Sequence, residues 1–89
     1  MLIALIARDK PGALQTRLDN RSAHLAYIEE TGVVSQAGPL LDGDSMIGSL
    51  IILDVEDLVA AQSWADGDPY AKAGLFQSVE LIAWKKVVG

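Results

Sequence analysis

His24 is the only imidazole in the chain, so it is the first group to weigh for proton transfer near neutral pH. With no cysteine and one histidine in 89 residues, the sequence offers no disulfide, no iron–sulfur cluster, no reactive thiol and no multi-histidine zinc set within one chain. Asp42, Asp44 and Asp54 are spaced as turn and cap residues and match no EF-hand pattern. There is no glycine-rich phosphate loop, no GxSxG and no lysine-centred motif. No metal and no cofactor is implied. What remains to weigh is acid–base chemistry at His24, whose imidazole a carboxylate held rigidly in its loop, such as Asp68, would be well placed to orient.

Each of these residues also has a plain structural reading. A lone helical histidine is often just packed. Asp68-Pro69 is what a helix N-cap followed by an N1 proline looks like. Arg21 falls among apolar helix positions, and a guanidinium buried there would need an anionic partner or a pocket. If the helix broke near Asn20, Arg21 would instead lie in a first turn with its stem along the core. Ser49 interrupts an apolar strand. Tyr27, Tyr70, Trp64 and Trp84 suit a pocket lining as well as a core or an interface.

The elements that must position these groups follow from periodicity. Met1–Ala7 is a continuous apolar run, too short for a core helix, and reads as a strand buried on both faces. Asp9-Lys10-Pro11-Gly12 is a turn. Leu14, Leu18, Leu25 and Ile28 then fall within about 80° of arc at about 100° per residue, which predicts a helix to about Thr31 with this stripe buried. His24 lies at its edge beside Arg17. Gly32 is placed for a left-handed C-cap, and Asp19-Asn20 is a weak point where the helix divides if it divides at all.

Val33–Leu41 reads as a second strand, with Gly38-Pro39 marking a bulge or an edge. Asp42-Gly43-Asp44 is a hairpin turn, and Met46–Leu53 a third, nearly all-apolar strand. Asp54 is the expected N-cap of a helix burying Leu58, Ala61 and Ala65 and ending near Asp66-Gly67. A helical turn follows Asp68-Pro69-Tyr70 and closes at Gly74. Phe76–Val88 is the last strand, with Val79, Leu81 and Ala83 on one face.

The order βαββαβ is the split-βαβ pattern of a ferredoxin-like α+β fold, a single domain over residues 1–89. Right-handed crossovers place both helices on one face of a four-stranded antiparallel sheet. The other face is left bare, yet the first and third strands are apolar on both sides. Covering several hundred Å² of it would favour association by about 10 kcal/mol or more before entropic costs. Two sheets face to face, a dimeric α+β barrel, are the simplest solution, so a homodimer or higher homo-oligomer is expected.

Composition narrows the partners. Seven basic against twelve acidic residues give a net charge of −5 and a pI near 4.5, so no nucleic-acid partner is expected. The apolar start lacks a basic n-region and is closed by Arg8-Asp9-Lys10, and no other apolar run approaches membrane-spanning length. No membrane partner is expected, and a cytoplasmic location is the default.

Three segments in order, Arg21-Ser22-Ala23-His24-Leu25, Gly38-Pro39-Leu40 and Asp68-Pro69-Tyr70 with Ala73-Gly74-Leu75, resemble the YciI-like (YCII-related) family. Its members have an R-x-x-H-L helix, a G-P-L strand segment and a D-P-Y…A-G-L segment before a strand ending in an aromatic, here Trp84. The resemblance implies a ferredoxin-like subunit of the dimeric α+β barrel type. It also implies a histidine–aspartate pair in a cleft, His24 and Asp68, acting as an acid–base centre. One member type removes chloride from a chlorinated hydroxyhydroquinone.

Two functions follow. The first is an enzyme in which His24 moves a proton and Asp68 orients it, for elimination or isomerisation of a small phenolic or enolisable molecule. Arg21, Ser49 and Tyr70 would contact that substrate. The second is a non-catalytic small-ligand-binding or assembly module of the same fold.

Overall fold

The computed structural model describes Met1–Gly89. Strand β1 (Leu2–Asp9) leads through a turn at Gly12 into helix α1 (Leu14–Thr31). Strands β2 (Val34–Asp42) and β3 (Ser45–Asp54) form a hairpin, followed by α2 (Leu58–Gly67), the single turn α3 (Pro69–Lys72) and β4 (Phe76–Trp84). The sheet order is β2-β3-β1-β4, antiparallel throughout, which is the ferredoxin-like arrangement predicted from the element order. Gly43 turns the hairpin at φ 58° and Gly32 caps α1 at φ 66°, its N–H donating to the Ile28 carbonyl. No helix is long and apolar enough to cross a membrane.

Register explains the core. Ile3, Leu5 and Ala7 sit opposite Leu53, Ile51 and Ser49 on β3, and opposite Ala83, Leu81 and Val79 on β4. That face carries Ile3, Leu5, Ala7, Ile51 and Leu53 into a cluster with Ala61, Trp64 and Ala65 of α2. Trp64 ties the two helices together. Its indole N–H donates to Thr31 Oγ1 at 2.9 Å, and its carbonyl accepts from the Tyr27 hydroxyl at 2.8 Å. On the opposite, helix-free face Leu50, Ile82 and Trp84 are exposed in the single chain.

Several local expectations need correction. The leucine stripe of α1 is not its buried face: Leu14, Leu18 and Leu25 are 46%, 46% and 48% exposed, while Arg17 and His24 are buried. The helix is rotated by about a quarter turn. The inward stripe is polar because Asp9, Ser49 and Asp68 answer it with hydrogen bonds, a solution hydrophobic periodicity does not register. Arg21 is therefore exposed and not buried, and α1 runs unbroken through Asp19-Asn20.

The N-cap of α2 is Asp57, which accepts from the Ala60 N–H at 2.8 Å, and Asp54 is still paired in β3. Leu58, in the exposed first turn, gives its buried place to Trp64. Gly38-Pro39 lies on an edge strand as expected, but the register shifts fall at Val34/Gln36 and Leu40/Leu41. Strand β1 extends through Asp9, taking in a residue expected in the turn, and β4 ends at Trp84 and not at Val88.

Gly48 marks a close crossing of β3 against β1. A Cβ added there would collide with the Ala7 carbonyl oxygen, a backbone atom that cannot swing away, and crowd Leu40 Cδ1 at 3.1 Å. Gly48→Ala is expected to destabilise the fold by about 1–3 kcal/mol, read from urea unfolding.

Candidate active site

The site is built where the apolar core runs out. Toward the Asp9 end of β1 the inward residues are Ala7 and Ser49, too small to fill the space beneath α1, and the side chains of Arg17, His24 and Tyr70 enter it. His24 is 6% exposed and Asp68 1%, although 44 residues separate them in the chain. His24 Nδ1 lies 2.8 Å from Asp68 Oδ1. A carboxylate can only accept, so Nδ1 carries a proton, and in the neutral imidazole Nε2 is the lone-pair nitrogen. Nε2 has no hydrogen-bond partner in the protein, and His24 lines a cleft that a ligand can reach.

Asp68 is held by its own loop. It has φ −63° and ψ 126°, the extended conformation a following proline imposes. Its Oδ1 also accepts from the Tyr70 N–H at 3.0 Å, capping α3. The cap and the imidazole partner are the same oxygen, so both readings of Asp68-Pro69 hold at once. Asp68 Oδ2 is buried without a hydrogen bond from the protein. The loop is anchored in turn by Leu75, fully buried, whose carbonyl accepts from the Lys10 N–H at 2.9 Å.

Tyr70 fills the gap between two turns of α1. Its ring stacks on His24 with centroids 3.9 Å apart and 15° between planes, and the Arg17 guanidinium lies 4.8 Å from the same ring's centre. Arg17 and His24 are seven residues apart, about 10 Å along the helix axis, so the aromatic ring is wedged between their side chains. Phe76 closes the edge at 6.1 Å and 82°.

A second ion pair sits beside the first. Arg17 Nε donates to Asp9 Oδ2 at 2.7 Å and Nη2 to Asp9 Oδ1 at 2.9 Å, both side chains almost fully buried. Burial alone would lower the arginine's pKa. The hydrogen bonds and charge of Asp9 outweigh it and hold the guanidinium still more firmly protonated. Nη2 also donates to Ser49 Oγ at 2.9 Å.

Sequence reasoning missed Arg17 and Asp9 as site residues. The signal was present, since Arg17 shares His24's helix face at i, i+7. Of the residues expected at the site, His24, Asp68, Ser49 and Tyr70 converge, and Arg21 stands exposed at the rim of the cleft.

The cleft holds about 170 Å³ between α1 and the β2–β3 hairpin, with Pro39, Met46 and Ile28 as apolar walls. A cavity of about 150 Å³ accepts a benzene ring, so the space suits one six-membered ring with small substituents.

A four-stranded antiparallel sheet in ferredoxin-like order places the chain among small α+β proteins. The chain belongs to the YCII-related family, whose model matches residues 1–85. The YciI protein of Escherichia coli is 40% identical over an alignment covering 98% of this chain and 99% of that one. An uncharacterised Haemophilus influenzae protein is 34% identical over the same shares.

Among solved structures, the 5-chloro-2-hydroxyhydroquinone dehydrochlorinase of Burkholderia phenoliruptrix, in complex with 2,5-dihydroxybenzoquinone, superposes with a TM-score of 0.86. It is 37% identical, with 96% of this chain and 94% of that one covered. An antibiotic biosynthesis monooxygenase shares the fold alone, at TM-score 0.58 and 13% identity over 97% of this chain and 100% of its own.

Both tyrosines are raised above the ordinary phenol range. Tyr27 is raised by burial and then by the charge of Asp68. For Tyr70 burial again leads, with Asp68 adding to it and Arg17 and Arg21 opposing. A raised folded pKa contributes stability that is present below the unfolded value near 10 and lost as pH climbs through the folded one. The chain has only two tyrosines. An ultraviolet phenolate titration should therefore show less than half ionisation at the ordinary midpoint, with denaturant resistance falling above it.

Proposed function

We propose that this chain is an acid–base enzyme that takes a proton from a small phenolic or enolisable molecule, for elimination or isomerisation. The observation that carries this is a single arrangement: an imidazole whose Nδ1 is committed to a buried carboxylate at 2.8 Å while Nε2 opens on a ring-sized cleft. Nε2 would accept the proton from a ring hydroxyl or an activated carbon. The electron pair released shifts a double bond, and either a leaving group departs with its bonding pair from a carbon made saturated by ketonisation or the imidazolium returns the proton to another carbon. Asp68 keeps Nδ1 protonated and stabilises the imidazolium that forms. Such a base contributes roughly 10²–10⁴-fold.

The 37% identity to a dehydrochlorinase supports this reading, since loss of HCl from a chlorinated hydroquinone is proton removal coupled to departure of chloride. Arg21, exposed at the rim, is suited to meet an anionic substrate, and Tyr70 forms one wall beside the imidazole.

A panel of phenols, hydroquinones and lactones, followed through the single imidazole resonance by NMR and then assayed for turnover, tests the proposal. His24→Ala is expected to abolish turnover by 10²-fold or more while the fold persists. Binding with no turnover of any panel member would favour the ligand-binding module, a reading that the close stacking of His24 on Tyr70 also suits.

Asp68→Asn should release the imidazole from its single tautomer. Nitrogen-15 shifts should then change from one protonated Nδ1 to a mixture, with turnover falling. An unchanged tautomer would reduce Asp68 to a cap.

The exposed residues Leu50, Ile82 and Trp84 on the helix-free sheet face support assembly of two copies through that face. Light scattering at micromolar concentration is expected to give at least twice the 9.5 kDa chain mass, and Ile82→Glu to shift it toward the monomer.

A further inference from the structure

The last turn of α2 takes one carbonyl away from its usual helical donor. In a regular α-helix the Asp68 N–H would donate to the Trp64 carbonyl four residues back. Here it donates to the Ala65 carbonyl at 3.3 Å, the tighter spacing of a 3₁₀ turn. The replacement comes from the other helix. The Tyr27 hydroxyl donates to the Trp64 carbonyl at 2.8 Å, and its ring lies against the Trp64 indole with centroids 4.9 Å apart.

Gly67 shows what that hydroxyl demands. Its φ is not in the left-handed region, so its backbone does not call for glycine, and alanine would be the better helix former. The demand is steric. A Cβ at Gly67 would lie 2.5 Å from the Tyr27 hydroxyl oxygen and 3.2 Å from Cζ. The next residue is Asp68. Tyr27 and His24 are three residues apart on α1, neighbours on one helix face. One helix therefore grips the Asp68 segment at two points, with His24 Nδ1 on the carboxylate and the Tyr27 hydroxyl on the turn that leads into it.

We propose that Tyr27 is a positioning residue of the His24–Asp68 pair, acting through Gly67: its hydroxyl fixes where α2 ends, and so where the Asp68 carboxylate meets the imidazole. Tyr27 is not among the residues lining the cleft, so it acts without touching a ligand there. Pro69 restricts Asp68 from one side and Tyr27 holds it from the other. Burial and then the charge of Asp68 raise the Tyr27 phenol above its ordinary range, which keeps the donated proton in place. Without the hydroxyl, the Trp64 carbonyl loses the donor that replaces the helical one, the last turn of α2 loosens, and Asp68 is free to leave the imidazole. The catalytic consequence rests on the acid–base reading above. The placement of the carboxylate does not.

The test reads the single imidazole of the intact protein by NMR with no substrate present. The unmodified chain is expected to show one slowly exchanging Nδ1–H on a single tautomer. Tyr27→Phe should speed that exchange by roughly three- to tenfold, the population change that follows loss of one hydrogen bond, and admit the Nε2–H tautomer. Gly67→Ala should do the same, because its methyl displaces the hydroxyl, even though alanine favours the helix. Adding Gly67→Ala to Tyr27→Phe should then change little, since the contact it breaks is already gone.

Thr31→Val is the control for general loosening. It removes the hydrogen bond from the Trp64 indole, the other one joining α1 to α2, and should lower urea resistance about as much as Tyr27→Phe. The His24 proton and tautomer should stay as they are in the unmodified chain. Equal changes at His24 in Thr31→Val and Tyr27→Phe would overturn the proposal. So would an unchanged imidazole in Tyr27→Phe, or strictly additive effects of Tyr27→Phe and Gly67→Ala. If Gly67→Ala fails to fold, the comparison of Tyr27→Phe with Thr31→Val still decides. With a substrate in hand, Tyr27→Phe should lower kcat and leave KM. Absence of any turnover would sink the acid–base reading and leave the NMR result standing.

Discussion

Helix α1 turns Arg17 and His24 toward the sheet, and the rest of the molecule is organised by having to answer them. Arg17 and His24 enter an interior where an unpaired guanidinium or imidazole would be costly. Asp9 and Ser49 meet the first, and Asp68 meets the second. Those partners dictate the surroundings. The Asp9 end of β1 must reach beneath the helix, β3 must carry a hydroxyl among aliphatic neighbours, and the loop after α2 must fold back with its carboxylate inward. The apolar core is correspondingly displaced toward the Trp64 end of the helix layer, where Tyr27 and Thr31 join α1 to α2.

The two halves of this arrangement were unequally visible in the sequence. The fold was legible because strands such as Met46–Leu53 are uniformly apolar and bounded by turn residues, and because the element order admits few topologies. The orientation of α1 was not. Leu14, Leu18 and Leu25 form the better hydrophobic arc, and periodicity alone ranks that arc inward. It has no means of seeing that Asp9, Ser49 and Asp68, on three other elements, make a polar arc the cheaper one to bury. The resemblance to a family located His24 and Asp68, since R-x-x-H-L and D-P-Y are local strings. Arg17 and Asp9 lay outside those strings and stayed unassigned until the elements were brought together.

Asp68 shows how closely architecture and chemistry are joined here. One oxygen caps α3 and holds the imidazole, and the neighbouring proline restricts the backbone that aims it. Its second oxygen has no partner.

The placement of the two indoles has a practical consequence for watching this molecule. Trp64 is packed in the core with its N–H on Thr31, whereas Trp84 ends β4 on the helix-free side of the sheet. They therefore sample different environments, one a dry interior contact and the other whatever lies against the bare sheet. Emission from Trp64 follows the docking of α2 onto α1, and emission from Trp84 follows the surroundings of the helix-free sheet face. With each replaced in turn by phenylalanine, the chain supplies its own pair of optical probes, one for the packed interior and one for the bare face.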